Sequence, residues 1–379
     1  MSLPDATSPD ATSPDATSPD ATSPGVAVPT VPTLPDAAPA LIVPVPLSAD
    51  ELAAYHDLQH GAVWCASPDV WSTFRGPKAA EALNGLVTND VTVLEPGHGQ
   101  QAAALTPKGK VLCDMLILRT DAESFLLAMR PACATVWLAT AKKYVNPRLA
   151  KVADEGTAWT TWLLYGPRTA AVLASLGAGA CDAWMPWQHG RCRIGATEAH
   201  VISAPLVGVL PGGVPGAIIV ADAAAREAVE AALESSEARA ASAAVWEVAR
   251  VESGRPIWGV DMDDNTIPQE ANLDTAGAIS FTKGCYTGQE TVARLHFRGH
   301  VNRRLRGLRG ASALPMHAEV VDMGGKSVGT VRSSVLSPRA GPVALAMLRR
   351  EVVAGDTVRV LGVDGDAISA DVVELPFPA

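Results

Sequence analysis

The sequence predicts an α+β chain: two related α/β units followed by a small antiparallel β domain that reads as a barrel. Three observations predict it. Helical patterns alternate with short strand-like runs as far as about residue 280. The pattern Gly76-Pro77-Lys78-x-Ala80-x-x-Leu83-x-x-Leu86 returns ninety residues later as Gly166-Pro167-Arg168-x-Ala170-x-x-Leu173-x-x-Leu176. Beyond about Val301 the texture changes to short alternating runs punctuated by glycine, with no clear helix.

The elements follow in order. Residues 5–24 are four copies of Asp-Ala-Thr-Ser-Pro, continued by Pro/Val/Ala-rich sequence to about Pro46. Proline at every fifth position blocks regular structure, so residues 1–47 are expected to form a disordered tail. Ser48 and Glu51 stand at the reciprocal positions of a helix-capping box. Ala62–Cys65 and Val70–Arg75 read as strands, and Gly76-Pro77 opens a helix striped by Ala80, Leu83 and Leu86. Lys110–Leu118 reads as a buried strand with Ser124–Met129 as its hairpin partner. Pro131 starts a helix that stops before Pro147. The second unit offers strands near His200–Ser203 and Ala217–Ala221, a helix over Ala223–Glu234, and another over about Ala240–Glu252 that ends at Gly254. In each unit the Gly-Pro pattern follows an aromatic run, Trp71–Phe74 and Trp159–Tyr165. That points to duplication, against convergence on a common helix start. Residues 255–280 form a long irregular segment of the kind that usually carries function. The runs of the last domain are Arg304–Leu308, Glu319–Asp322, Ser327–Arg332, Val343–Leu348, Thr357–Val363 and Ile368–Val373. The expected organisation is therefore 1–47, 48–300 and 301–379.

Composition narrows the function classes. The 379 residues are 48 % hydrophobic and carry a net charge of −10, with a pI near 5.3. That supports more than one core and argues against nucleic acid as a partner. An N-terminus without an apolar stretch and the lack of any long apolar run predict neither secretion nor a membrane span. The six cysteines form no CxxC pair, so no zinc ribbon or metal site is expected, and a reducing cytoplasm is the expected compartment.

Chemistry concentrates in Phe281-Thr282-Lys283-Gly284-Cys285-Tyr286-Thr287-Gly288-Gln289-Glu290. A thiol lies between two glycines, with Lys283 before it and Arg294, His296, Arg298 and His300 after it. Such cations favour the thiolate, the form that attacks electrophiles or binds metal; the plainer alternative is an inert small hydrophobe. Arg294–Arg309 holds six arginines and two histidines and no acid. It reads either as the wall of an anion pocket or as a solvated strand face.

The string Lys283–Glu290 resembles the K-G-C-Y-x-G-Q-E signature of the YgfZ branch of the folate-binding, GcvT-like family. The resemblance extends through Leu86-Val87-Thr88-Asn89-Asp90, Leu105–Leu112, Arg250–Pro256, Gly259-Val260-Asp261 and Ile267–Glu270, and spans roughly residues 50–375. It implies two α/β units around a central cavity, closed by a C-terminal β-barrel, and tetrahydrofolate or another reduced folate as cofactor.

The same resemblance implies residue roles. Cys285 is the functional thiol. Asp114 is a carboxylate at the reacting end of the folate, where the related T-protein has two consecutive aspartates and this chain has Cys113-Asp114. The missing carboxylate puts ordinary aminomethyl transfer in doubt and leaves the question of enzyme activity open. An aspartate in an apolar strand either faces water or lines a cavity. Glu252 is implied to hold the pterin edge; a salt bridge to Arg250 or Arg255 is its other reading. Lys283 and Arg294 are partners either for the folate glutamate tail or for the thiolate. Glu270 is a supporting contact, and Asn89 a further folate contact or simple turn chemistry. Three functions stay open: a folate-dependent factor for maturation or repair of iron–sulfur proteins, with client or assembly proteins as partners; a one-carbon transferase relying on Asp114; and a non-catalytic folate-sensing scaffold.

Overall fold

The computed structural model describes residues 39–156, 158–206, 213–362 and 365–378. Most of the expected tail, residues 1–38, lies outside the described residues. Its end is not free: Ile42 pairs with Met316, and Leu41 packs against the barrel core.

Helix α1 (Ala49–His60) begins with the expected box, Ser48 Oγ accepting from Glu51 N at 3.3 Å and Glu51 Oε2 from Ser48 N at 2.9 Å. Then follow β1 (Val63–Ser67), β2 (Val70–Arg75), α2 (Ala79–Asn84), β3 (His98–Leu105), β4 (Val111–Asp121), β5 (Ser124–Met129), α3 (Pro131–Tyr144) and β6 (Lys151–Asp154). The second unit is β7 (Trp159–Tyr165), α4 (Thr169–Ser175), β8 (His189–Ile194), β9 (Thr197–Ser203), β10 (Gly216–Asp222), α5 (Arg226–Glu234) and β11 (Arg239–Ala240). Pro77 and Pro167 sit in the turn before α2 and α4 rather than at the first helical position. A 3₁₀ turn, Ala223–Ala225, precedes α5.

The duplication is real in the backbone. The first sheet runs β3-β4-β5-β2-β6 and the second β8-β9-β10-β7-β1, with β11 added beyond β1. After each repeated Gly-Pro, the cationic residue's N–H reaches the chain that enters the neighbouring strand: Lys78 N to Leu149 O at 3.1 Å, and Arg168 N to Gly61 O at 2.9 Å. Thus β1, which precedes the first unit in sequence, fills in the second sheet the place that β6 fills in the first.

Four apolar clusters hold the molecule. One lies on the outer face of the first sheet, under α2, α3 and the 258–286 segment. Another covers the outer face of the second sheet under α4 and α5. A central cluster joins the inner faces of both sheets to α1, α6 (Ala243–Glu252) and one wall of the barrel. There Trp71 Nε1 donates to Thr161 Oγ1 at 2.8 Å, tying sheet to sheet. Burying each such large apolar side chain contributes about 1.5–3 kcal/mol.

Helix α7 (Gln289–Arg298) replaces the strand face considered for the arginine-rich stretch. Beyond it, β12 (Arg303–Gly310), β13 (Glu319–Val321), β14 (Ser327–Ser337), β15 (Gly341–Arg349), β16 (Thr357–Leu361) and β17 (Ala367–Val373) close into a barrel around the fourth cluster. All six match the expected runs; Val363 lies outside the described residues. Among the described residues no helix is long and apolar enough to cross a membrane.

Candidate functional site

The Cys285 loop is immobilised on both sides of the thiol. The buried Lys283 ammonium donates to three main-chain carbonyls, Asn84 O and Val87 O at 2.7 Å and Asn89 O at 2.9 Å. Burial lowers it to about 8, so at neutral pH it is still the three-donor cation those carbonyls require. Tyr286 roots in the outer cluster of the first sheet, 5.0 Å under the Lys283 ammonium. Gly288 then turns with φ of 81° against the β3–β4 turn. Between these anchors Gly284 and Cys285 are exposed, and the thiol is free. Both sequence readings of Lys283 are corrected: its donors are spent on backbone, leaving none for a folate tail or a thiolate.

Asp114 lies elsewhere. On β4, Cys113 joins the outer cluster, whereas Asp114 shares the inner face with Leu116 and Leu118. The sheet therefore separates it from Tyr286 and the thiol loop. Asp114 Oδ1 is buried and has no hydrogen-bond partner among the described residues. Burial pushes the carboxyl up to about 6, opposed by the Arg255 guanidinium and, less strongly, by Arg130, with Asp69 adding to the rise. Asp69 and Arg130 pair at 3.2 Å where β2 starts and β5 ends. Tyr165, at the end of β7, is pushed up to about 12 by burial, with Arg255 again opposing. Its ring lies 5.0 Å from that of Trp246 on α6. The Asp69–Arg130 pair and Arg255 thus act electrostatically on Asp114, and Asp69 and Arg255 also on Tyr165. Sequence reasoning missed Asp69 and Arg130, which meet only through strand pairing.

Glu252 has a different occupation from the one expected. It is fully buried; its Oε1 accepts from Tyr55 Oη at 2.7 Å and from the Ser337 hydroxyl, while its Oε2 has no hydrogen-bond partner among the described residues and lies 3.7 Å from Arg339. It therefore ties α1, α6 and β14 together. Arg250, its anticipated partner, instead joins Asp261 at 2.8 Å and Glu247. Glu270 is likewise structural: Arg303 donates to it at 3.0 Å, and it accepts from Ile267 N at 2.8 Å. The Asn89 amide donates to Gln101 O at 2.8 Å and Gly277 O at 2.9 Å, which is loop bracing. Arg294 is exposed on α7, with no ion pair among the described residues. The anion-pocket reading of 294–309 fails for Arg303, Arg304 and Arg306, which pair with Glu270, Asp274 and Glu374.

A cleft of about 710 Å³ opens at the other strand ends of the inter-sheet space, bordered by Arg75, Trp159, His189, His200 and Asp222. Asp114 does not line it. Here His200 Nε2 lies 2.7 Å from His189 Nδ1, and His189 Nε2 lies 3.2 Å from His98 O. Because a carbonyl only accepts, His189 carries its proton on Nε2 and accepts at Nδ1 from His200. Burial holds both imidazoles down at about 4.

Comparison with known proteins decides the relationship. The GCVT N-terminal domain model matches residues 70–283, and the glycine cleavage T-protein C-terminal barrel domain matches residues 303–378. The tRNA-modifying protein YgfZ of Edwardsiella ictaluri is 31 % identical over 294 residues, 75 % of this chain and 83 % of that protein. The chain belongs to the GCVT family, in its YgfZ branch. An aminomethyltransferase of Rubrobacter xylanophilus is 27 % identical over 308 residues, covering 80 % of this chain and 79 % of that one. The crystal structure of the glycine cleavage system aminomethyltransferase T from Bartonella henselae has the same fold, with a TM-score of 0.77 at 23 % identity over 88 % of this chain and 91 % of that one. In this family member, Asp114, Arg130, Tyr165 and Arg255 fall inside the first matched region, and Asp69 lies one residue before it. Cys285 and α7 fall between the two.

Proposed function

We propose that the chain is a folate-binding factor that serves the maturation or repair of iron–sulfur proteins, with Cys285 as its functional thiol. The observation that carries the folate half is the buried Oδ1 of Asp114, which has no hydrogen-bond partner among the described residues. A carboxylate oxygen removed from water without a donor is costly unless a ligand supplies one, and the N–H edge of a pterin does so. Arg255 offers donors beside it, and Tyr165 and Trp246 offer aromatic surface. Asp114 would orient the ring, and the folate would supply one-carbon chemistry or a reduced pterin.

The thiol half rests on Cys285 being exposed on a loop that is otherwise pinned, a geometry suited to meeting a partner protein. Lying across the sheet from Asp114, it reads as a docking or ligating group rather than a nucleophile toward the folate. One thiolate leaves most of an iron coordination sphere to be filled by the client or a small thiol. The YgfZ relatives are named for tRNA modification; an acidic chain of this kind would act there through protein clients, in a reducing cytoplasm, rather than by gripping RNA. The test is Cys285→Ala in cells lacking the native protein. Loss of activity in an iron–sulfur client enzyme, with folate binding intact, supports the reading; undiminished client activity refutes the role of the thiol.

A further inference from the structure

Four of the six cysteines stand in two pairs whose sulfurs nearly touch, and access separates the pairs. Cys113 Sγ on β4 lies 2.8 Å from Cys133 Sγ on α3, and both residues are fully buried in the outer cluster of the first sheet. An oxidant has no path to them while the chain is folded. Cys181 Sγ lies 3.3 Å from Cys192 Sγ. Cys181 is buried in the outer cluster of the second sheet, whereas Cys192 packs at the margin of that cluster and is half-buried. Oxidation of thiols is selective for those that solvent reaches.

The backbone around the second pair is also free to give. Cys192 is on β8, the outermost strand of its sheet, and Cys181 is on a five-residue 3₁₀ turn, Gly179–Ala183. A disulfide holds its sulfurs at about 2.05 Å, so this pair has to close by about 1.3 Å. A short turn and an edge strand open and shift at lower cost than a helix packed on an inner strand. Between the two cysteines runs the segment that joins the units. There His189 N donates to Gly97 O at 2.9 Å, and Gln188 Nε2 lies 2.9 Å from His98 Nε2.

We propose that Cys181 and Cys192 are a peroxide-sensitive pair whose disulfide closes a ring around the joint between the two units. Burial pushes the Cys181 thiol up and keeps it protonated, so the more accessible Cys192 reacts first. Its sulfur takes one oxygen of hydrogen peroxide: the S–O bond forms as the O–O bond breaks, leaving a sulfenic acid and one water. The Cys181 sulfur then attacks the sulfenic sulfur, and the S–O bond breaks. The hydroxyl leaves with the Cys181 proton as a second water. Two thiols lose two electrons and two protons, and the peroxide is reduced to two waters. A dithiol reductant restores the pair by exchange. Cytosolic disulfides of this transient kind serve as redox sensors. The proposal is independent of the folate site and of the role of Cys285.

The test treats the native full chain with hydrogen peroxide, then unfolds it, alkylates the remaining thiols and maps the peptides by mass spectrometry. A Cys181–Cys192 cross-linked peptide is expected, lighter by two hydrogens than the two thiol peptides together and lost on treatment with dithiothreitol. Cys113 and Cys133 should be recovered as alkylated thiols. Cys181→Ser should stop Cys192 at the sulfenic acid, which dimedone captures, and Cys192→Ser should leave Cys181 an intact thiol. Circular dichroism confirms folding, and if a variant does not fold the wild-type map decides. Hydrogen exchange at the Gln188 and His189 amides should slow when the wild type is oxidised and stay unchanged in peroxide-treated Cys192→Ser. Recovery of both Cys181 and Cys192 as thiols at a dose that oxidises the exposed Cys285 overturns the proposal, as does a Cys113–Cys133 disulfide formed in place of theirs. A disulfide that leaves exchange at those two amides unaltered overturns its action on the joint.

Discussion

Gly109 and Gly288 lie backbone against backbone, joining the β3–β4 turn to the loop that presents Cys285. Both have left-handed φ, 76° and 81°. A Cβ on Gly288 would stand 2.5 Å from Thr106 O and 3.1 Å from Gly109 Cα; one on Gly109 would stand 2.7 Å from Thr291 Cβ. Two stretches far apart in sequence thus meet where neither tolerates a side chain. The thiol's position depends on that contact.

Gly288→Ala is expected to destabilise the fold by about 1–3 kcal/mol, because it adds both a strained φ and a collision with backbone. Urea denaturation measures the midpoint. Thiol-reagent kinetics on the native protein should also change, as the only exposed one of the six cysteines shifts its setting. An unaltered midpoint and rate would show that the loop is not braced this way.

Glu252→Ala should act on stability before binding. The substitution leaves Tyr55, Ser337 and Arg339 without their shared acceptor at the junction of α1, α6 and the barrel. Removing one member of such a buried charged group costs about 3–5 kcal/mol. A fully stable variant that has lost folate binding would restore the pterin role that the sequence suggested for Glu252.

Acid should weaken the fold through His189 and His200. Both are held at about 4 in the folded chain, against an ordinary 6.5 when unfolded. Between those values the unfolded chain binds more protons, so stability is full above about pH 6.5 and is lost as pH falls toward 4. Asp114, raised to about 6, works in the opposite sense between about 3.8 and 6. One carboxyl against two imidazoles leaves the net slope downward. His200→Asn should flatten the pH profile of the unfolding midpoint; a profile as steep as wild type would remove the histidine pair from the account.

What the sequence revealed and what it hid follow from the range of the interactions. The barrel strands, the Ser48 box and the duplicated Gly-Pro helix starts were legible because turns, caps and alternation are local. Helix α7 was not, since its residues are mostly polar and only Val292 is buried along it. Lys283 looked like a ligand cation because its three carbonyl partners are backbone atoms, which leave no mark on residue identity. Glu252 took its partners from Tyr55 and Ser337, at opposite ends of the chain, and Asp69 met Arg130 only through the pairing of β2 with β5. The site around Asp114 is built from such long-range neighbours, so the sequence pointed to one member of it and passed over the rest.

The most direct measurement is a fluorescence titration of wild type and Asp114→Asn with tetrahydrofolate across pH 5 to 8. The account predicts saturable binding by the wild type that weakens below about pH 6, approaching tenfold per pH unit as the carboxyl gains its proton. It predicts at least about tenfold weaker, pH-flat binding by the variant, through loss of charge-assisted hydrogen bonds. Equal affinity and the same pH dependence in both proteins would contradict it.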